Sequence, residues 1–375
     1  ECRVSKVRLA IVGAGHLGRF HARVAAGLAD ARLVAVVDSK QEAREKLAVE
    51  LGVKPLADHR DLIGLADAVI LATPTTSHYR IAHELFLSGI HVLVEKPVCC
   101  NASQAEELVQ LADKQQLVLQ VGHIERFNPA FITVRDRLSD PKYITARRMS
   151  GFTFRSTDIG VVLDLMIHDL DLVLNLVKSP VVRVEAVGIS VLGGHEDIVD
   201  ARLQFASGCV ANLTASRVSY ESVRSLQVFT DQCHANLDLA ARRVTVVEPS
   251  SEVRARTFDT DSLGEDQKAK YRDNFFEQVL RKSELPVSEA NAMEQEQLDF
   301  IHAIRTSTEP QVTGADANAA MLLAEKILEQ VEAHRWDGNS SNRRGPYAMP
   351  HHDTVLEVPD PWSAEDTVII RRKAG

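Results

Sequence analysis

The first third of the chain alternates short apolar runs, rich in β-branched residues, with longer segments of helical periodicity. The runs predict strands over residues 7–12, 33–37, 68–72, 91–94 and 117–121, with a weaker one near Val53. Helices are predicted in the gaps, for example over residues 15–28, 41–51 and 103–114. Because strands that alternate with helices pair in parallel and are covered on both faces, this segment predicts an α/β domain on a parallel sheet.

Beyond Gly122 the pattern changes to strands that follow one another along the chain. They are predicted over residues 144–149, 181–191, 201–205, 210–215, 226–229, 235–239 and 244–247. Turn-rich segments such as Ala206-Ser207-Gly208 join several of them and predict hairpins. A long helix is predicted over 158–177, and two more helices over 289–305 and 315–333 close the region. These features predict a second domain with an antiparallel sheet.

We therefore expect three parts: a first domain over 1–125, a second over 126–336 and a polar tail or arm over 337–375. A chain of 375 residues has room for more than one domain, since a domain takes roughly 150 residues. The tail is rich in Gly, Asn, Ser, Arg and Pro and has no sustained period. It contains His351 and His352, but without a second ligand pair we expect no metal site there.

The composition argues against several classes of partner. The 43 Lys and Arg residues against 52 Asp and Glu give a formal charge of -9, so no overall basic field would hold a nucleic-acid backbone. The five cysteines form no CxxC pair and fit neither a disulfide framework nor a zinc site, which favours a reducing compartment. The first apolar run is far too short to span a membrane. We expect a cytoplasmic protein without nucleic-acid or membrane partners.

A glycine pattern, Gly13-Ala14-Gly15-His16-Leu17-Gly18, follows the first predicted strand and opens a helix. The first glycine permits a tight turn, the second lets a pyrophosphate approach the backbone, and the third allows close helix packing. The second strand ends in Asp38, about 20 residues further on, where a carboxylate accepts hydrogen bonds from ribose hydroxyls. Asp38 would repel the 2′-phosphate of NADP, so the sequence predicts NAD. Lys40 lies close enough to soften that preference, although a solvated lysine at a helix start is the simpler interpretation.

Two further motifs lie at the ends of predicted strands. Thr73-Pro74-Thr75-Thr76-Ser77-His78 turns the fourth strand into a helix; its hydroxyls suit N-capping, and its backbone is a plausible cofactor contact. Glu95-Lys96-Pro97 follows the fifth strand, at the carboxyl edge where open α/β sheets bind ligands. A lysine there polarises or protonates a substrate oxygen while the glutamate fixes its position. The alternative is an exposed salt pair at a strand end.

The helix predicted over 158–177 is apolar nearly all round except for one polar stripe. At about 100° per residue, His168 and Asp171 lie within about 40° of Asp164. Buried carboxylates and imidazoles are costly unless they are paired or serve a purpose. Asp164 with His168 one turn later predicts an imidazole held by a carboxylate, as a general base needs. Asp169 points away from the stripe and is expected to pair with an arginine or a backbone group.

Together these motifs resemble a known family. GAGHLG after the first strand, TPTTSH after the fourth, EKP after the fifth and Asp-x-x-x-His-x-x-Asp in the long helix are similar to motifs of the glucose-fructose oxidoreductase and inositol dehydrogenase family, Gfo/Idh/MocA. The similarity runs in order over roughly residues 6–335. It implies a Rossmann domain followed by an α/β domain whose large open, mainly antiparallel sheet commonly forms the interface of a homodimer or homotetramer. It also implies alcohol oxidation on sugars or cyclitols with NAD(H) or NADP(H).

The resemblance also assigns roles to single residues. Lys96 takes the lysine role at the substrate and the nicotinamide ribose, Asp164 and His168 take the catalytic helix roles, and Asp171 takes the acidic position three residues after the histidine. Met166 departs from the family, where glycine is common, and this leaves the substrate more open than the chemistry. The expected cofactor contacts are Gly13, Gly15, His16, Leu17, Gly18, Asp38, Thr73, Pro74, His78, Glu95 and Lys96.

Two segments, 121–129 and 164–171, look like the branch of this family that oxidises the 3-hydroxyl of UDP-N-acetylglucosamine. Four arginines lie in the segment that leads to the catalytic helix, and guanidinium groups suit a diphosphate. They are Arg126, Arg147, Arg148 and Arg155. The expected substrate contacts are Lys96, Arg126, Arg155 and Asp171.

The expected reaction is NAD-dependent dehydrogenation of a sugar hydroxyl. In it His168 takes the hydroxyl proton and Lys96 stabilises the developing oxyanion. A free sugar or a cyclitol of the inositol type is the alternative substrate. A regulator that binds dinucleotide without turnover is a second alternative, although Lys96, Asp164 and His168 together argue against it. Reduction of a non-sugar substrate such as a bilin or an imine is a third.

Overall fold

The first sheet of the computed structural model contains six parallel strands. The structure describes residues 6–154, 158–336 and 345–346. The strands are β1 Val7–Val12, β2 Ala31–Val37, β3 Lys54–Leu56, β4 Ala68–Leu71, β5 His91–Glu95 and β6 Leu119–Gly122. They lie in the order β3-β2-β1-β4-β5-β6, and each neighbouring pair is parallel. This is the Rossmann order, so the predicted parallel sheet is confirmed, including the weak strand near Val53.

Helices cover both faces of this sheet. They are α1 His16–Gly27, α2 Gln41–Leu51, α3 Thr75–Leu87 and α4 Ala102–Gln115. Within β1, Leu9 and Ile11 join the core formed with α1 and α2, whereas Ala10 and Val12 join the core formed with α3 and α4. Because successive residues of a strand point to opposite faces, a strand buried on both faces must be apolar throughout.

Eight strands form a second sheet. They are β7 Tyr143–Met149, β8 Val181–Ile189, β9 Ile198–Phe205, β10 Val210–Ser216, β11 Val223–Phe229, β12 His234–Asp238, β13 Arg243–Pro249 and β14 Leu280–Leu285. Their order is β14-β13-β12-β11-β7-β10-β9-β8, and all neighbours are antiparallel except β7 and β10. The predicted large, mainly antiparallel sheet is confirmed. The sequence pattern does not reveal β14, because its central residues are polar and exposed and only its pairing with β13 makes it a strand.

The predicted hairpin turn at Ala206-Ser207-Gly208 joins β9 to β10. The N–H of Gly208 donates to the carbonyl oxygen of Phe205 at 2.9 Å. Gly208 has a φ of +85°, a conformation that glycine adopts without the steric cost of a side chain. The turn residues therefore have the chemistry that the turn needs.

The second half of the chain contains six α-helices within the part that the structure describes. They are α5 Pro129–Val134, α6 Ile167–Val177, α7 Ser251–Arg254, α8 Glu265–Asp273, α9 Ala292–Thr306 and α10 Gly314–Ala333. The helix predicted over 158–177 begins at Val162, and its first part, Val162–Met166, is a π turn that leads into α6. The sequence pattern does not reveal α7 and α8, which have no buried residue. No helix in these described ranges is long and apolar enough to cross a membrane.

Helices α6 and α10 cover one face of the second sheet, where residues such as Leu170 and Ile327 pack against the strands. The opposite face is bordered near β13 and β14 by a short π-helical segment, Phe275–Val279, whose Phe276 lines a groove with Thr245 and Lys282. Other side chains of this face, for example Thr145, Asn212 and Gln227, are half-buried and polar. The sheet therefore has one packed face and one open face.

The two closing helices pack against both halves of the molecule. Phe300 of α9 joins the core beneath α1 in the first sheet. Met321 of α10 joins the core beneath α3 and α4, while Ile327 of the same helix joins the core of the second sheet. Helix α10 thus fixes the two sheets relative to each other, and between them lies the cleft described next.

Candidate active site

The glycine-rich turn between β1 and α1 has the close contacts that its sequence predicts. Gly13 has a φ of +104°, and a Cβ there would lie 2.5 Å from the carbonyl oxygen of Ala72. A Cβ on Gly18 would lie 1.8 Å from the carbonyl oxygen of Gly13. Around Gly15, by contrast, the Cβ position has no described heavy atom within 4 Å beyond its chain neighbours. The first and third glycines thus permit close packing, and the second leaves open backbone at the N-terminus of α1, as an anionic pyrophosphate requires.

A cavity of about 650 Å³ opens beside this turn. Asp38 lies in its wall and accepts hydrogen bonds from the backbone N–H of Ala14 at 2.7 Å and of Lys40 at 2.8 Å. These contacts fix the half-buried carboxylate at the end of β2, next to the glycine turn. The wall also includes Arg19, Lys40, Thr73 and Arg80.

A smaller cavity of about 240 Å³ adjoins the first, and the two share the wall segment 72–74. Leu17 of α1 lines it from one side and Lys96, just after β5, from another. Ile159 and Asp164 reach it from the chain that leads into α6. Three motifs far apart in the sequence therefore meet in one cleft between the two sheets.

Lys96 and Asp164 are in direct contact in this cleft. Nζ of Lys96 donates to the backbone carbonyl oxygen of Asp164 at 2.6 Å and to its Oδ1 at 3.2 Å. The two side chains are 15% and 19% exposed, so the pair is shielded from bulk solvent yet open to the cavity. Asp164 lies in the π turn, a rare form of helix that occurs frequently at functional sites.

His168 lies four residues beyond Asp164 but is not hydrogen-bonded to it. Its Nδ1 is buried and has no hydrogen-bond partner among the described residues, whereas the Asp164 carboxylate faces Lys96. The predicted pairing of Asp164 with His168 is therefore wrong. It assumed about 100° per residue, whereas a π turn contains more residues per turn, so residues four apart no longer align. Burial, followed by the positive charge of Lys96, lowers the pKa of His168 well below its ordinary value, so the imidazole is neutral at pH 7.

His123 packs edge-on against His168, with ring centroids 6.4 Å apart. It is buried, its Nδ1 has no hydrogen-bond partner in the described part of the chain, and burial lowers its pKa. Sequence reasoning gave His123 no role. Its position directly after β6 could have pointed to it, because the carboxyl ends of parallel strands are where ligands bind.

Glu95 lies behind Lys96 in a buried chain of polar side chains. Its carboxylate accepts a hydrogen bond from Nε2 of His21 at 2.7 Å, and Nε2 of Gln297 lies 3.0 Å from Nδ1 of the same ring. Burial is the largest single influence and acts to raise the pKa of Glu95, but the hydrogen bond from His21 and the electrostatic attraction to His21 and Lys96 together lower it. The other carboxylate oxygen accepts from the backbone N–H of Lys96 at 3.2 Å. Glu95 is thus ionised, and its contacts with His21 and with the backbone of Lys96 help to fix the position of Lys96.

Three expected cofactor contacts, His16, Gly18 and His78, lie outside both cavities. The ring nitrogens of His78 lie 2.9 Å from the carbonyl oxygen of Pro97 and 2.8 Å from that of Thr73, and the ring is buried. Its geometry supports bracing of the cleft backbone rather than contact with a cofactor. His16 is exposed at the first residue of α1 and packs edge-on against Phe20 at 5.0 Å.

Further along helix α6, Asp169 and Asp171 are buried and paired with arginines. Arg126 donates to both carboxylate oxygens of Asp171, at 2.7 and 2.8 Å, and both side chains are buried. Arg148 donates to both oxygens of Asp169 and to Glu125. The expected arginine partner of Asp169 is confirmed. The geometry does not support substrate contacts by Arg126 and Asp171, because each satisfies the other away from the cleft.

Three residues singled out by the sequence lie outside the described residues: Arg155, His351 and His352. Arg147 is exposed on β7, with its guanidinium 3.3 Å from the sulfur of Met149. Within the described ranges there is no group of three or more His, Cys, Asp or Glu side chains that could hold a metal ion.

Family models and known proteins match most of the chain. A model described as an oxidoreductase family with an NAD-binding Rossmann fold matches residues 7–123, and a GFO/IDH/MocA C-terminal domain model matches 131–235. UDP-N-acetylglucosamine 3-dehydrogenase from Acidithiobacillus ferrooxidans is 38% identical over 62% of this chain and 74% of its own length. Inositol 2-dehydrogenase from Rhizobium meliloti is 31% identical over 56% of this chain and 69% of its own. A solved structure of the Acidithiobacillus ferrooxidans enzyme aligns with a TM-score of 0.77 at 30% identity, covering 87% of this chain and 98% of that one.

Proposed function

This chain belongs to the Gfo/Idh/MocA family of oxidoreductases, and we propose that it oxidises the 3-hydroxyl of UDP-N-acetylglucosamine or a related nucleotide sugar with NAD. One observation carries the proposal: Lys96, at the end of the first sheet, meets Asp164, in the π turn of the second half. Lys96 and Asp164 line the cavity that adjoins the one at the glycine turn, and the neutral imidazole of His168 lies close enough behind them for the charge of Lys96 to lower its pKa. A dehydrogenase needs these groups at the carbon that it oxidises.

The residues at the glycine turn fit a dinucleotide. The open backbone at Gly15 suits the pyrophosphate, and the carboxylate of Asp38 suits the ribose hydroxyls. Bound there, the cofactor supplies the acceptor for the hydride that leaves the carbinol carbon. Thr73 and Pro74 line both cavities, so the cofactor cavity lies directly beside the one that contains Lys96.

We propose NAD rather than NADP. The Asp38 carboxylate is fixed by two backbone N–H groups and would repel a 2′-phosphate. Lys40 uses its backbone N–H, not its ammonium group, to contact Asp38, and its side chain is exposed. The guanidinium of Arg44 also lies at the end of β2 but donates to the carbonyl oxygens of Asp38 and Ser39 at 3.2 Å each, so the proposal rests on the fixed Asp38 carboxylate.

In the proposed reaction His168 accepts the hydroxyl proton at Nε2, because Nδ1 is buried. Lowering of its pKa keeps the imidazole neutral and ready to accept that proton at neutral pH. Lys96, held by Asp164, stabilises the negative charge that develops on the substrate oxygen. The carbinol carbon loses a hydride, the hydroxyl loses its proton, and a ketone results.

The choice of a nucleotide sugar rests on similarity to the Acidithiobacillus ferrooxidans dehydrogenase, both in sequence and in structure. Arg155 is our proposed contact for the diphosphate. Arg126 and Arg148 are paired with buried carboxylates, so they are not proposed for that role.

A free sugar or cyclitol is the second candidate substrate. One observation favours it: Arg126 and Arg148 are already paired with buried carboxylates, so two of the four arginines expected to bind a diphosphate are engaged elsewhere. Similarity to inositol 2-dehydrogenase from Rhizobium meliloti supports the same candidate.

We also propose that copies of this chain assemble as a homodimer or homotetramer through the open face of the second sheet. Phe229 and His234 stack there with ring centroids 4.0 Å apart, and Tyr143 lies 5.6 Å from Phe229. A groove of about 630 Å³ adjoins these rings. Tyr143 is exposed and the other two rings are half-buried, and aromatic residues are enriched at surfaces that bind another chain. Light scattering of the wild type and of Phe229→Glu tests this, and we expect the variant to have the smaller mass.

We further propose the cytoplasm as its compartment, because the four cysteines that the structure describes are all unpaired.

NADH formation with UDP-N-acetylglucosamine, free N-acetylglucosamine and myo-inositol tests the substrate. We expect turnover of the nucleotide sugar, with one ketone trapped by a carbonyl reagent for each NADH formed. The free sugar should be slower even at saturation, because diphosphate binding orients the ring for hydride transfer. Equal or faster turnover of inositol would replace the proposal by the second candidate, and tight NAD binding without any turnover would support a regulator.

A further inference from the structure

Gly160 lies where the chain enters the π turn, and a carboxylate occupies the space that a side chain would need. A Cβ on Gly160 would lie 1.9 and 2.1 Å from the two carboxylate oxygens of Glu196. Oε1 of Glu196 accepts a hydrogen bond from the backbone N–H of Val162 at 3.1 Å, and its backbone carbonyl accepts from Val161 at 3.0 Å. The first N–H groups of a helix have no acceptor within the helix. Glu196, from the loop before β9, supplies the missing acceptors from another part of the chain.

Arg217, which follows β10, holds the residue on the other side of Gly160. Its guanidinium donates to the carbonyl oxygen of Ile159 at 2.6 Å and to Oδ1 of Asp197 at 2.7 Å. Asp197 is itself buried, and its Oδ2 accepts from the N–H groups of Val191 and Leu192 at 2.7 Å each. The guanidinium is therefore anchored in the second sheet, and through Ile159 it fixes one wall of the catalytic cavity.

The segment held in this way leads directly to Asp164. The N–H of Asp164 donates to the carbonyl oxygen of Gly160 at 3.0 Å. The carbonyl and the carboxylate of Asp164 in turn accept from Lys96. Hydrogen bonds at both ends of about one turn of backbone, residues 160–164, thus connect Glu196 to Lys96, and a shift of Gly160 would be transmitted to the cleft.

We propose that Glu196, together with Arg217, is a positioning residue for the catalytic cleft: it fixes the start of the π turn so that Asp164 meets Lys96. Its effect on turnover rests on the proposed function. Its effect on the backbone of the π turn does not. Gly160 is part of the same arrangement, because only a residue without a side chain leaves room for the Glu196 carboxylate.

Two substitutions at Glu196 test the role in turnover. Glu196→Gln keeps an oxygen for the Val162 N–H, and we expect its kcat within about threefold of wild type. Glu196→Ala removes the acceptor and should lower kcat about tenfold or more, since small displacements of reacting groups carry large rate penalties. The KM for NAD should stay within about twofold of wild type, because the glycine turn belongs to the other sheet.

Leu237→Ala is the matched control, since it opens a cavity in the core of the second sheet away from the cleft. It should lower the melting temperature without lowering kcat below about half of the wild-type value. Equal kcat losses in Leu237→Ala and Glu196→Ala would show that Glu196 acts only through stability and would overturn the proposal. So would a Glu196→Gln variant as poor as Glu196→Ala.

Gly160→Ala tests the shared space directly. Alone, its methyl group competes with the carboxylate, and we expect about a tenfold loss of kcat. In the double variant with Glu196→Ala the methyl group fills the space that the carboxylate leaves. The loss should then be no larger than that of Glu196→Ala alone, rather than the roughly 100-fold product expected of independent sites. A full product of the two losses contradicts the proposal.

Hydrogen exchange over residues 159–168, followed by mass spectrometry, needs no substrate. Glu196→Ala should exchange the amide of Val162, which loses its acceptor, at least about tenfold faster than wild type, while Glu196→Gln and Leu237→Ala should match wild type. If no sugar is turned over, the proposed function fails and this readout alone decides on Glu196. Unchanged exchange in Glu196→Ala overturns the proposal, and so does faster exchange with unchanged kcat.

Discussion

The start and the middle of the helix over residues 162–177 carry carboxylates with different partners. At its start Asp164 meets Lys96 through one carboxylate oxygen, and both side chains are open to the cavity. In its middle Asp169 and Asp171 are buried, and each receives two hydrogen bonds from a single arginine. A carboxylate has room for about four hydrogen bonds, and only Asp164 leaves much of that room unfilled towards the cleft. The comparison separates ion pairs that are buried within the second half of the chain, Arg126 with Asp171 and Arg148 with Asp169, from that of Lys96 with Asp164, which joins the two halves and lines the cavity.

Breaking a buried pair should have the largest effect. Arg148→Met leaves Glu125 and Asp169 buried without their shared cation, which costs about 3–5 kcal/mol of unfolding free energy. Urea unfolding measures this. Arg183→Met, at an exposed pair with Glu185, is the control and should cost less than about 1 kcal/mol. Equal costs for the two variants would mean that burial does not distinguish these ion pairs.

Removing a group at the open end should affect turnover instead. Lys96→Ala and His168→Ala should each lower kcat by about 100-fold, equivalent to about 2.7 kcal/mol, because each removes a positioned catalytic group. The affinity for NAD, measured by fluorescence titration, should change little. The exposed Lys142→Ala is the control and should keep wild-type kcat. Near-normal turnover of Lys96→Ala or His168→Ala would disprove the role given to that residue.

Asp38 extends the comparison to a carboxylate held only by backbone N–H groups. We expect NAD to bind about tenfold more tightly than NADP, since a fixed carboxylate repels the 2′-phosphate. Asp38→Ser should reduce the difference between the affinities for NAD and NADP, because it removes the negative charge. Titration of both cofactors into both proteins checks this, and tighter binding of NADP to the wild type would show that Lys40 or another cation outweighs Asp38.

The smallest effect concerns pH. Because the pKa of His168 is lowered in the folded protein, the unfolded chain takes up its proton first as the pH falls below about 6.5. The stability associated with the neutral ring is therefore present above pH 6.5 and is lost as the pH falls. Between pH 7 and pH 6 this amounts to about 0.7 kcal/mol. From pH 7 to pH 6, the unfolding free energy of wild type should therefore fall by about 0.7 kcal/mol more than the unfolding free energy of His168→Gln, which lacks the titrating ring. Parallel pH profiles would mean that His168 titrates normally.

Much of the fold follows from local sequence. The parallel sheet could be predicted because β1, β4 and β5 are short runs that are buried on both faces and mostly apolar, with the polar residues Arg8, His91 and Glu95 at or near their ends. The glycine turn could be predicted because each glycine meets a local steric demand. β14 could not, since its residues are polar and only its partner β13 makes it a strand.

Sequence motifs singled out Lys96, Asp164 and His168, which stay a prediction as a catalytic set, and the contacts that these side chains make were harder to predict. The π turn that directs Asp164 to Lys96 breaks the regular helical period on which the prediction depended. The partner of Asp171 is 45 residues away in the sequence, and the carboxylate that caps the π turn is 34 residues from Val162. Such contacts depend on how the two sheets pack, which periodicity does not report.

Asparagine substitutions at Asp164 and Asp171 test most directly whether the first carboxylate serves turnover and the second serves stability. Asp164→Asn and Asp171→Asn make the same chemical change at positions seven residues apart. Measured side by side, kcat should fall at least about tenfold in Asp164→Asn with an unfolding free energy close to wild type. Asp171→Asn should lose about 3 kcal/mol of unfolding free energy and keep most of its kcat while folded. The opposite pattern, or equal losses of both quantities in both variants, would contradict the account.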